Sequence, residues 1–186
     1  VIAPFGTVVD ALVELGRYPQ AERALQEMVD RKPNLAAYAR VSYFRELHGD
    51  LDGALDAMRA AVSAGGAVPE QDAYVRALLG GLELQKGRVA VAVRQYRQAL
   101  VAVPRYAPAE AGLAQADVAR GRLAPAIARL QRVVDRLPLP SYVIALGEAQ
   151  AAAGRRAAAE QTFALVRAET MLQQRAGVNA DVELAI

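Results

Sequence analysis

A glycine followed five residues later by an alanine occurs five times in this chain, as Gly16/Ala21, Gly49/Ala54, Gly87/Ala92, Gly121/Ala126 and Gly154/Ala159. Successive glycines are 33, 38, 34 and 33 residues apart. Two places after each glycine stand Tyr18, Leu51, Val89, Leu123 and Arg156, apolar in four of the five. Eight places before it lies an aliphatic residue: Val8, Val41, Leu79, Leu113 or Leu146. The next position is small in four copies, Ser42, Gly80, Ala114 and Gly147, with Val9 the exception. Proline follows seventeen residues after three of the glycines, at Pro33, Pro104 and Pro138.

Each position has a physical reason. Glycine ends a helix in left-handed geometry without a Cβ clash. The alanine and the small upstream residue let two helices approach closely. Proline stops the second helix. Between these markers the apolar spacing is helical; Val91, Ala92, Tyr96, Ala99, Leu100 and Val103 form one stripe. Composition agrees: 54% hydrophobic residues but only 5% aromatic suits close helix packing on alanine and aliphatics better than a sheet core.

A helix–turn–helix unit of this length and signature resembles the tetratricopeptide repeat. The resemblance spans five units, about 3–34, 35–71, 72–106, 107–139 and 140–176, in one domain over 1–186. It implies an all-α solenoid coiled into a right-handed superhelix with an open groove. SAGGAVPEQD (63–72) adds about four residues and reads as a surface loop insertion. The fifth unit has a longer second helix, from Ala157 to about Arg175, and 177–186 read as the start of a further, truncated helix. GVNADVELA and LPLPSYVIALGEA are similar to segments of large bacterial repeat proteins of undefined function, which implies more repeats on both sides.

By the same resemblance, the first helix of each unit lines the groove. The candidate peptide-binding residues are Asp10, Glu14, Tyr43, Glu46, Tyr74, Gln85, Gln115 and Glu148. Tyr43 and Tyr74 are the natural anchors, with packing against the neighbouring repeat as the alternative. Family members that hold an acidic C-terminal tail of the EEVD type use Asn and Lys/Arg on these helices. Here Asp10, Tyr43, Gly81, Gln115 and Glu148 stand at the Asn place, and Gly6, Ala39, Ala77, Ala111 and Ile144 at a Lys place. That clamp is therefore not expected. The arginines Arg23, Arg59, Arg94, Arg97, Arg129 and Arg132 fall on second helices and read as a solvated face, which argues against nucleic acid.

Chemistry is sparse. There is no cysteine and one histidine, His48, at an expected helix C-terminus where a cation suits the helix dipole. A zinc site is not expected. GLELQKGR (81–88) is not a phosphate-binding loop, since no G-x-x-x-x-G-K-[ST] is present. No cofactor and no catalytic residue are assigned. No apolar run reaches a membrane span. VIAPFG shows no signal peptide, and both ends read as cuts through a longer protein. The compartment stays open between cytoplasmic, the default, and periplasmic or secreted. The expected function is a protein-interaction scaffold without catalysis, binding a peptide or partner helix of unknown identity. Its rivals are a self-assembling structural segment associating through exposed repeat ends, an accessory module of a larger protein and, last, an RNA-binding repeat.

Overall fold

The left-handed glycines set the architecture. Gly16, Gly49, Gly87, Gly121 and Gly154 have φ of 67°, 79°, 72°, 71° and 74°. Each closes a first helix with the same pair of backbone bonds. At Gly49, the Gly49 N–H donates to Glu46 O (2.9 Å) and the Asp50 N–H to Arg45 O (2.9 Å). This is the Schellman arrangement, which satisfies carbonyls that the helix leaves without partners. It recurs one repeat later, where the Gly87 N–H donates to Leu84 O and the Arg88 N–H to Glu83 O, at 2.9 and 2.8 Å.

The computed structural model describes residues 5–65 and 68–176. Among them are ten helices and no strand: α1 (Phe5–Glu14), α2 (Tyr18–Arg31), α3 (Leu35–Leu47), α4 (Leu51–Ser63), α5 (Pro69–Gln85), α6 (Val89–Ala102), α7 (Ala107–Ala119), α8 (Leu123–Val134), α9 (Pro140–Ala152) and α10 (Arg156–Arg175). The architecture is an all-α solenoid of helical repeats. The chain forms two compact units, 1–112 and 113–186, with the boundary inside α7. The expected helix start at 177–186 lies outside the described residues.

The alanine of each repeat lies where its second helix is pressed hardest. Ala21, Ala54, Ala92, Ala126 and Ala159 are all buried. In the second repeat the buried Ser42 hydroxyl donates to Ala54 O at 2.8 Å, tying α3 to α4. In the first unit Ala54, Leu55, Met58, Ala61, Val75, Leu79 and Leu82 form one cluster, with Leu35, Tyr38 and Leu51 packed around it. Of the two signature positions in α1, Val9 at the small-residue place is buried while Val8 is exposed.

A second packing device escaped the sequence pattern. Nine residues after the left-handed glycine, Tyr96 puts its ring between glycines of two first helices. A Cβ on Gly80 would lie 2.6 Å from the ring, and one on Gly112 2.3 Å. In the second unit Phe163 holds the matching place against Gly147, where a Cβ would lie 2.5 Å away. Glycine in these helices makes room for a flat ring, despite its cost of about 1 kcal/mol in propensity.

Part of the expected surface insertion at 63–72 is helical, since residues 69–72 form the first turn of α5. α5 opens at Pro69, before the boundary expected at 72, and is 17 residues long against 13 for α3, α7 and α9. Pro69 suits the first helical position, where the N–H it lacks would have no helical partner. Glu70 and Asp72 favour the positive end of the helix dipole.

Replacing Gly49 by Ala should destabilise the chain by about 1–2 kcal/mol, and by Asn less. No atom lies within 4 Å of the new Cβ, so denaturant unfolding would read the backbone term alone. Gly80→Ala should also destabilise, and Tyr96→Leu in that background should recover part of the loss. Burial pushes the Tyr96 hydroxyl up to about 12. The folded state keeps that proton after the unfolded chain has begun to lose it near pH 10. Stability from this residue is therefore complete below pH 10 and is lost as pH rises towards 12. Melting curves over that range should show a loss on the order of 2 kcal/mol that Tyr96→Phe removes.

Candidate functional site

In the first unit the outward residues of α1, α3 and α5 gather the first six sequence-expected site residues. Tyr43 is 52% and Tyr74 49% exposed, so neither ring is consumed by packing. Asp10, Glu14 and Gln85 are exposed, and Glu46 is half-buried. Gln85 Nε2 donates to Glu46 Oε1 at 2.7 Å, joining α5 to α3.

The sequence pattern does not reveal Arg40. This α3 residue reaches across to α1, where Nε and Nη2 donate to Asp10 Oδ1 and Oδ2, both at 2.9 Å. Nη1 donates to Ala36 O at 3.3 Å. The hydrogen bond to Asp10 is the main reason the guanidinium is raised above its ordinary range. The fork depends on Gly6, because a Cβ there would lie 2.7 Å from Arg40 Cζ. The six arginines named from the sequence do lie on second helices, and Arg40 is a first-helix arginine besides them. The face does carry a cation, committed bidentately to an internal carboxylate. A signal existed in the sequence: a glycine one helical turn before an aspartate leaves room for a long side chain.

Beside this fork a small niche of about 190 Å³ is lined by Val9, Asp10, Val13, Glu14, Arg40 and Tyr43. Val9 and Val13 are buried, and Tyr43 and Glu14 are exposed.

Behind this face, Arg59 is exposed, as expected of a second-helix arginine, yet it also holds a buried carboxylate. Arg59 on α4 donates from Nη2 to Glu83 Oε1 at 2.8 Å, although Glu83 is only 2% exposed. Arg88, next to the left-handed glycine, reaches Glu83 Oε2 at 3.3 Å. The Glu83 bond is the main cause of an upward shift at Arg59. In the second unit, buried Asp117 stands at the same place, four residues before its glycine. It pairs with Arg122, and Arg129 Nε lies 3.9 Å from Oδ2. The sequence rule that carboxylates sit outside hid these two.

One repeat earlier the signs are reversed. Arg45 takes the place of Glu83, Asp50 that of Arg88, and Gln26 that of Arg59. Gln26 bonds along its own helix to Asp30 at 2.7 Å, and Arg45 donates to Gly53 O at 3.1 Å. A cleft of about 500 Å³ remains between α2 and α3. One end of it holds a cluster of Tyr18, Phe44 and His48, with ring centroids 4.3 Å apart for Phe44–His48 and 4.9 Å for Tyr18–His48. His48 caps α3, and its Nδ1 lies 2.7 Å from Phe44 O, which requires the proton on Nδ1.

In the second unit Gln115 and Glu148 are exposed on α7 and α9. Among the described residues no group of His, Asp and Glu is arranged to hold a metal ion. None of the described helices is long and apolar enough to cross a membrane.

A tetratricopeptide-repeat family model matches residues 9–72 and 48–111, more than half of the 186-residue chain. The chain belongs to the tetratricopeptide-repeat family. No curated protein sequence matches it. Solved structures share this tetratricopeptide-repeat fold at low identity. MamA is 19% identical with a TM-score of 0.67, covering 93% of this chain and 99% of MamA. PilF of Pseudomonas aeruginosa is 16% identical with a TM-score of 0.72, covering 87% of this chain and 72% of PilF. A chain of the APC/C hetero-tetramer Cut9–Hcn1 is 16% identical with a TM-score of 0.75, covering 98% of this chain and 35% of that one. These likenesses show the fold alone.

Within this tetratricopeptide-repeat array, a carboxylate buried at the turn makes a specific energetic demand. Arg59→Met would leave Glu83 to Arg88, the more distant of its two arginines, and should cost about 1–2 kcal/mol in denaturant unfolding. The same substitution in a Glu83→Gln background should cost clearly less, giving a measurable coupling.

Proposed function

We propose that this chain is a non-catalytic scaffold that binds a peptide or partner helix on the face formed by its first helices. Tetratricopeptide-repeat folds generally mediate protein–protein interaction. The observation that carries the finer reading is the half-exposed pair Tyr43 and Tyr74, on the first helices of consecutive repeats. Leu47 and Leu78 are exposed on the same two helices. Rigid aromatic side chains with open faces provide contact area at little entropic cost.

The state of the charges supports a peptide over an acidic tail or nucleic acid. Arg40 is held by Asp10, and Arg59 is held by Glu83. At either of these arginines a ligand phosphate or terminal carboxylate would have to displace an existing pair. Nor does the chemistry favour catalysis: the lone histidine caps a helix, and among the described residues the buried acids Glu83 and Asp117 are bound to arginines. A second reading, self-association, is favoured by α10, which exposes Leu165, Met171 and Leu172.

With a peptide selected against the chain, Tyr43→Ala and Tyr74→Ala should each weaken binding by about 1–2 kcal/mol. Melting temperature should stay near the parent value, because both rings are half-exposed. Calorimetry and thermal melts would check the two halves of this expectation. Retained affinity in both variants, or amide shifts confined to second helices, would overturn the reading. Light scattering of Leu165→Ser/Leu172→Ser against the parent would show whether α10 drives dimer formation.

A further inference from the structure

The niche between α1 and α3 carries the reading further, and its role as a site depends on the first-helix face being the binding face. Its volume of about 190 Å³ falls below the roughly 300–1,000 Å³ of small-molecule pockets. It suits one side chain of a larger partner. The floor, Val9 and Val13, is apolar and buried, and the wall is the half-exposed ring of Tyr43.

The charges around it select the occupant. Asp10 has both oxygens on Arg40, and Arg40 has Nε and both terminal nitrogens bonded, to Asp10 and to Ala36 O. Glu46, further along the face, accepts from Gln85. Glu14 is different. It borders the niche, is exposed, and has no ion-pair partner among the described residues. The lining therefore carries Asp10 and Glu14 against Arg40, leaving one negative charge uncompensated.

We infer that this niche receives one lysine or arginine side chain of the bound segment. The aliphatic stem lies over Val9 and Val13, as long basic side chains do on apolar surface. The cationic head has the open ring of Tyr43 and the Glu14 carboxylate within the same lining. An acidic side chain would meet Glu14 and Asp10, and it would have to break the Arg40 fork to find a cation. A purely apolar side chain would fill the volume but gain nothing from Glu14.

The test is selection of a random peptide library on the intact chain, followed by synthesis of the selected peptides. Their sites are mapped by amide chemical shifts, and the peptides are then titrated against Glu14→Gln. The expected result is one enriched basic position, shifts on α1 and α3, and an affinity about two- to fivefold weaker for Glu14→Gln at unchanged melting temperature. A peptide with norleucine at that position should bind the parent equally weakly and should lose nothing more in Glu14→Gln. If selected peptides map to the first helices without a basic preference, or bind Glu14→Gln as well as the parent, the inference falls while the scaffold reading stands. Peptides that map to second helices, or failure to select any, would overturn both.

Discussion

The backbone turn at the left-handed glycine is the constraint on which the other contacts depend. In it the chain leaves one helix and starts the next within a few residues, with the last carbonyls already satisfied by the Schellman bonds at Gly49 and Gly87. So short a connection forces the two helices side by side. The contact then admits only a side chain as small as Ala54 or Ala92, both fully buried. Larger groups, such as Tyr96, fit where the facing helices offer glycine. Turn, small residue and ring are three consequences of one geometric demand, repeated down the chain.

The same demand explains how much of the molecule is legible in its sequence. Requirements on the backbone leave fixed residue types at fixed spacing, so the repeats, the all-α class and the place of His48 at a helix end can be read directly. The start of α5 cannot, because glycine spacing counts residues without saying whether the extra ones coil or extend a helix. Pro69, Glu70 and Asp72 together carry that information. Long-range pairs are harder still. Arg40 finds Asp10 thirty residues away because Gly6 leaves the path open, and no periodicity encodes such a crossing. Composition assigns Glu83 and Asp117 to the surface, yet the turn buries them. Their burial is tolerable because the backbone places an arginine immediately after the glycine.

The division of labour between helices is correspondingly clear. Positions that carry the turn signature keep their residue types, whereas outward positions on first helices vary freely: Asp10, Tyr43, Gly81, Gln115 and Glu148 share one register. Variation there changes what the face can touch without disturbing the turn. The face of the first unit is aromatic and mildly acidic: Arg40 neutralises Asp10, whereas Gln85 only hydrogen-bonds Glu46 and leaves its charge in place.

The reversed charges at the turns also give the repeats an order. Arg59 of the second repeat finds a carboxylate because the next repeat offers Glu83. A copy of the second repeat in that position would put the Arg45 guanidinium where Glu83 accepts and the Asp50 carboxylate where Arg88 donates, so Arg59 would meet a like charge at the place of its present partner. Like-charge contact of that kind is unfavourable. The units therefore resemble one another in backbone and differ in address. An array assembled by duplication, or by exchange of one repeat between two molecules, would keep its helices and lose its electrostatic match. Sequence divergence among the repeats thus protects their succession.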